Sequence, residues 1–254
     1  MATPVTGYLS LVSGARRTPR YDLHLACLLI LVAGMLNSAG FVAVALYTSH
    51  MTGLTATMAD HLVDRDVELL SISAVGLGSF VLGGIWCTLL FNWGRRRGLG
   101  CRFANVVAFE GALILGFGLT AEAFRGEHRD LVSVGVLCFT MGLQNALITK
   151  VADVPVRTTH VTGMITDIAI ELGKLLYPNR TPGTDPVRGD PRKLRLLATL
   201  VGLFLLGGVA GTLGCLAVGF SFLVPVAQLL LVLAYRPVAR DLARQRGRPA
   251  RVFL

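Results

Sequence analysis

The chain has 254 residues, 53% of them hydrophobic and only 15% charged, with 29 glycines and a net charge of +9. Water-soluble domains carry about 25% charged residues, so a soluble class is excluded and much of the surface must face lipid. A disulfide scaffold is excluded as well. Cys27, Cys87, Cys101, Cys138 and Cys215 are odd in number, lack CxxC or Cys/His spacing, and lie in or beside apolar runs.

In chain order, a basic N-terminal segment with Arg16, Arg17 and Arg20 leads into an apolar run at 23–47. The run is too long for a signal h-region and predicts an uncleaved first span. Further apolar stretches follow at 69–93, 102–124, 131–150, 195–218 and 220–235. A hydrocarbon core about 30 Å thick needs roughly 20 helical residues, so these predict six transmembrane helices. The short Gly219-Phe220-Ser221 connection predicts an antiparallel hairpin for the last two.

Cytoplasmic loops retain Lys and Arg, which orients the chain. With the N-terminus inside, all of the 24 basic residues except Arg65, Arg125 and Arg129 fall on the cytoplasmic side. The outer segments hold Asp60, Asp64, Asp66, Glu68, Glu127 and Asp130. Counting 52–64 and 161–174 as full spans would put Arg95, Arg96 and Arg97 outside, which argues for six spans rather than eight. The positive charge is then a record of topology, and nucleic acid is not expected as a partner.

Three blocks recur in the same order. GMLNSA (34–39) and TSHMTGL (48–54) return as GLQNAL (142–147) and TTHVTGM (158–164), and FVLGGIWCTL (80–89) returns as FLLGGVAGTL (204–213). The chain therefore reads as a duplication. Its segments are a cytoplasmic tail at 1–22, a first repeat at 23–124, a second repeat at 131–236 with a Pro-rich cytoplasmic loop at 175–194, and a basic cytoplasmic tail at 237–254. Three spans per repeat is odd, so the second half enters the membrane inverted, an arrangement used by secondary transporters with a midplane site. The fold class expected is all-α membrane protein with two inverted repeats, each carrying a short re-entrant or broken helix after its THxTG motif. Gly76, Gly78, Gly83 and Gly84, with Gly202, Gly207, Gly208, Gly211 and Gly214, are expected to let helices approach closely.

The blocks MGLQNAL, VRTTHVTGMITDIA and TSHMTG in a six-span chain resemble the YoaK-type family of small integral membrane proteins, whose function is unknown. The resemblance covers roughly residues 23–236 and implies a bacterial inner-membrane location and the six-span fold, but no substrate. This sequence departs from the family pattern in its first half, where related proteins carry Asp at the position of Asn37 and Asn at the position of Leu54.

Polar side chains within spans are costly and each needs a reason. Glu110 lies about 12 Å into its span and reads either as a proton-coupling carboxylate or as a neutral acid hydrogen-bonded to a neighbouring helix, with Gln228 at the matching place of the second half. Asn37, Gln144 and Asn145 suit a polar solute or interhelical hydrogen bonds. In the motif segments, Thr52 and Thr162 are expected to cap the helices that follow, whose N-termini could receive an anion. Gly53, Thr158, Thr159 and Gly163 complete these segments. His50 and His160 are repeat mates suited to proton relay. Asp167 and Glu171 are expected on one face, opposite a Val161, Ile165, Ile168, Leu172 stripe. These residues form the expected substrate or ion pathway of a small transporter or permease, with a nontransporting scaffold or sensor as the alternative. No GxSxG, HExxH, Walker or dinucleotide pattern occurs, so no catalytic residue, metal or cofactor is expected. The expected partners are the lipid bilayer, a small polar or ionic solute and a second copy of the chain.

Overall fold

The computed structural model describes residues 18–100, 102–123, 129–151, 160–180 and 185–246. These form the helices α1 (Pro19–Val44), α2 (Met51–Asp64), α3 (Val67–Arg96), α4 (Arg102–Thr120), α5 (Arg129–Val151), α6 (Val161–Leu176), α7 (Pro191–Val218) and α8 (Leu223–Arg246), with a 3-10 turn at Gly219–Phe222 between the last two. Five stretches are long and apolar enough to cross a membrane: Arg20–Val44, Val67–Arg96, Arg102–Thr120, Arg129–Lys150 and Pro191–Ala243. The fifth holds both α7 and α8.

Short polar signals set where helices begin. Thr18 precedes Pro19 and its Oγ1 accepts from Tyr21 N at 3.4 Å, opening α1. Asp66 caps α3 by accepting from Glu68 N and Leu69 N, both at 3.1 Å. Asp190 caps α7 in the same way, from Arg192 N at 2.8 Å and Lys193 N at 3.2 Å. These caps satisfy amides that a helix start otherwise leaves open. At the other end of α1, Ala45 takes a left-handed φ of 53° and closes the helix through its N–H to Phe41 O at 2.8 Å. A non-glycine residue there costs roughly 1–2 kcal/mol, so the turn that follows must be held by other contacts.

The helices pack in pairs, α1 on α7, α3 on α5 and α4 on α8, with α2 lying on α3 and α6 on α7. Glycine makes the first two crossings possible. A Cβ at Gly34 would collide with the Phe204 carbonyl oxygen, and one at Gly207 with the Leu31 carbonyl oxygen. At the other crossing, Gly83 meets the Phe139 carbonyl and Gly142 the Phe80 carbonyl. Backbone lies directly on backbone, which lipid-exposed helices use in place of a hydrophobic drive. Leu54 packs against Val134 and Cys138, while its repeat mate Met164 packs against Ile30, Leu197 and Leu200. The main core gathers α1, α4, α5 and α8 around residues such as Leu29, Leu36, Val107, Met141, Leu143 and Leu230.

Several expectations change. Gly78 and Gly202 have nothing within 4 Å of a Cβ, so they face open surface and carry no packing role. The connection at Gly219, with φ 66°, is tight, yet α7 packs mainly on α1 and α8 mainly on α4, so the arms diverge from a paired hairpin. The last helix does not stop near 236 but continues through Pro237 to Arg246, taking up part of the expected tail.

Candidate functional site

The segment after α1 folds back along it. Asn37 Oδ1 accepts from Ser49 N at 3.1 Å and from Ser49 Oγ at 2.9 Å, and buried Thr48 fills the space beside Gly40. Asn37 lies about 10 Å below the C-terminus of α1 at 1.5 Å per residue, so α2 starts well inside the length of α1. The second motif is described only from His160 onward; Thr158 and Thr159 lie outside the described residues.

The capping expectation is overturned in both motifs. His50 and His160 occupy the N-cap positions, without a side-chain cap bond, and Thr52 and Thr162 sit exposed within the first turn. A threonine at the second helical position already has helical backbone angles, so its hydroxyl does not turn back onto the first amides as an N-cap side chain does. The His50 ring instead lies against Gly53, where a Cβ would collide with it. Gly163 has no such neighbour.

Both motif starts meet on one cavity of about 760 Å³ beside α7. Its lining includes Asn37, Ser38, Tyr47, Ser49 and His50 from the first motif region, Val161 and Thr162 from the second, and Phe204, Gly208 and Thr212 from α7. A second cavity of about 370 Å³ lies between α2 and α3 and is lined by His50, Gly53, Leu54, Thr57 and His61 among others. His50 and Tyr47 line both, forming a common wall. Sequence reasoning missed Ser38, Tyr47, Ser49, His61 and Thr212. Ser49 stood inside the motif, and a hydroxyl one turn-back away from Asn37 was the available signal; the others carry no local pattern.

The remaining candidates lie apart from these cavities. Glu110 is fully buried on α4 among Val106, Val107 and Ile114, and neither of its oxygens has a hydrogen-bond partner among the described residues. The expected hydrogen bond to a neighbouring helix is therefore absent there, and Gln228, its expected mate, is exposed. Gln144 is buried and ties α5 to α1 through Nε2 to Leu29 O at 2.7 Å, while its Oε1 has no partner among the described residues. Asn145 is buried beside it.

Asp167 and Glu171 are corrected most. Glu171 does not stand opposite the apolar stripe; it is buried on the same side of α6 as Met164, whereas Ile165 and Leu172 are exposed. Its Oε2 accepts from Asp190 N at 2.9 Å, and its Oε1 accepts from Lys174 Nζ at 3.0 Å and Lys193 Nζ at 3.4 Å. The backbone donor of Asp190 first, then the Lys174 ammonium, hold this carboxyl down at about 2, against the opposing effect of burial. Asp167 pairs with Lys193 at 3.7 Å. The two acids thus form an ionic latch from α6 to the start of α7, already neutralised by the chain's own lysines, rather than the lining of a cation path.

Residues 25–235 match the family model described as "Protein of unknown function (DUF1275)". The chain belongs to this family. No curated protein and no solved structure matches it. The family therefore fixes kinship without chemistry, and the role of an apolar helical protein of this kind has to be argued from the site itself.

Proposed function

We propose that the protein is a small nonenzymatic secondary transporter, of the YoaK type, in the bacterial cytoplasmic membrane. It has six spans arranged as two inverted halves, with both termini cytoplasmic. The observation that carries this reading is the convergence of the two motif starts, Ser49-His50 and Val161-Thr162, on one cavity of about 760 Å³. Motif segments that begin on opposite sides and meet in the interior are the arrangement by which inverted repeats build a central site. The matched glycine crossings, Gly34 with Gly207 and Gly83 with Gly142, support the inversion, since each first helix packs on the second helix of the other half. The basic-residue distribution supports the orientation.

The lining offers an amide, hydroxyls and one imidazole set in apolar walls, which suits a small, weakly polar solute held by a few hydrogen bonds. His50, shared by two cavities, is the gate residue in this reading. Glu110, a carboxyl stabilised by neither hydrogen bond nor cation among the described residues, is the group proposed to take up and release the coupling proton.

Cysteines introduced singly at Ser49 and Thr162, in a background lacking the five native ones, test the site. Both should react with a water-soluble thiol reagent in sealed vesicles, and a solute found by thermal-shift screening should protect both together. A scaffold is the better reading if neither position is reached by water-soluble reagent. Given a transported solute, His50→Ala and Glu110→Gln should each lower uptake at least tenfold without lowering the amount of folded protein.

A further inference from the structure

The C-terminal end of α3 carries two features that the transport reading does not use. The first is an apolar groove of about 260 Å³ lined by Trp86, Leu89, Leu90 and Trp93, spaced i, i+3, i+4, i+7 along one face. Trp86, Leu89 and Trp93 are all exposed, so the groove opens outward. The second is a set of cations around the last turn of α3, one of which meets the groove. Arg97 continues the same face, with its guanidinium 5.2 Å from the centroid of the Trp93 ring.

The following turn brings α4 back beside this end. Gly98 at φ 65° and the bond from Leu99 N to Gly94 O at 2.9 Å close α3, and the Arg102 stem then packs across Gly94. Arg102 and Lys150 lie over the Phe91 ring, at 5.5 and 5.3 Å from its centroid. Arg95, Arg96, Arg97, Arg102 and Lys150 make no ion pair with a described residue, and no acidic residue occurs between Glu68 and Glu110. The contrast with Lys174 and Lys193, which pair with Glu171 and, for Lys193, also with Asp167, is direct.

We propose that this end of α3 is a binding site for an anionic phospholipid, with the headgroup phosphate held by Arg97, which lies on the last groove ring, with Arg102 and Lys150 adding positive charge from the Phe91 side, and with one acyl chain lying in the Trp86–Trp93 groove. Charge complementarity selects an anion, since these five cations form no ion pair with a described residue. The groove selects a lipid over a free phosphate, because an apolar trough that ends at Arg97 matches a molecule with a chain attached to its charge. The site does not depend on transport.

The test uses the full chain purified in a neutral detergent, with phosphatidylglycerol and phosphatidylcholine of identical acyl chains added and binding followed by native mass spectrometry and thermal shift. Phosphatidylglycerol should be retained and raise the melting temperature more than phosphatidylcholine. Arg97→Gln should weaken its binding about fivefold, and the Arg97→Gln, Arg102→Gln pair about 25-fold, at about 1 kcal/mol per basic side chain near an anionic surface. Arg95→Gln removes the same charge from the Phe91 side of the helix, away from the groove, and should weaken binding less than Arg97→Gln does. Trp86→Ala with Leu89→Ala should weaken the long-chain lipid without altering the difference between the headgroups. Equal binding of the two lipids, equal losses in Arg95→Gln and Arg97→Gln, or equal stabilisation by inorganic phosphate would each overturn the proposal. Arg97 is exposed, so the single variant remains interpretable even if the double variant fails to fold.

Discussion

The two motif helices, α2 and α6, share a THxTG start, lie on equivalent partners and are yet fastened at opposite ends. In the first, the anchor is at the N-terminus, where Asn37 accepts both groups of Ser49 and the His50 ring covers Gly53. In the second, the described anchor is near the C-terminus, where Glu171 collects Asp190 N, Lys174 and Lys193. Counting from the first helical residue of each, Met51 and Val161, His61 stands where Glu171 stands. His61 borders a cavity, and its buried Nδ1 has no hydrogen-bond partner among the described residues. Two helices that open on the same motif are thus tied down by different chemistry. The far end of α2 is consequently the less constrained of the two.

The comparison breaks first at the glycine crossings. Gly83→Leu and Gly207→Leu should each cost about 3 kcal/mol of stability or abolish folding, because backbone occupies the space a side chain needs. Thermal unfolding in detergent reads the effect, and unequal losses at the two positions would show that the crossings are not equivalent. Next comes the first anchor. Asn37→Leu leaves the Ser49 donors without their acceptor and should cost about 2 kcal/mol, with faster exchange at the start of α2 and none at α6. Asn37→Asp retains the acceptor and should keep that start protected.

The second anchor has a pH signature. The Glu171 carboxyl is held at about 2 against an ordinary value of 4.5, so its contribution is fully present above about pH 4.5 and is lost as pH falls towards 2. Glu171→Gln should remove that dependence and speed amide exchange in the last turn of α6, leaving α2 unchanged. The smallest effect separates the two motif glycines. Gly163→Ala meets open space and should stabilise α6 by about 0.5–1 kcal/mol, whereas Gly53→Ala must displace the His50 ring and should gain less or lose. Equal responses would mean that the His50 ring is not seated on Gly53.

Much of the helical framework was legible because it follows from local rules. Apolar runs of spanning length, glycine pairs and the repeated blocks are properties of neighbours in sequence, and the Gly34, Gly83, Gly142 and Gly207 contacts lie where the blocks place them. The candidate site was half legible. The motif segments do meet, yet Glu110, Asp167 and Glu171 lie away from the cavities, since burial and partner choice depend on which helix faces which. The same reason explains the departure at Leu54. Its side chain is buried against Gly76 with Val134 and Cys138 nearby, so the apolar residue at that position is a packing group.

By itself, the sequence determined the lipid-facing character of this protein, its long apolar helices and its internal repetition, since hydropathy, length and periodicity act over a few turns of chain. Tertiary structure alone decided that α1 pairs with α7 and α3 with α5, that Asn37 bends the chain back onto α1, and that Glu171 closes on lysines rather than lining a cavity. Those outcomes rest on contacts between residues far apart in the chain, where the cost of leaving a polar group unpaired selects the partner.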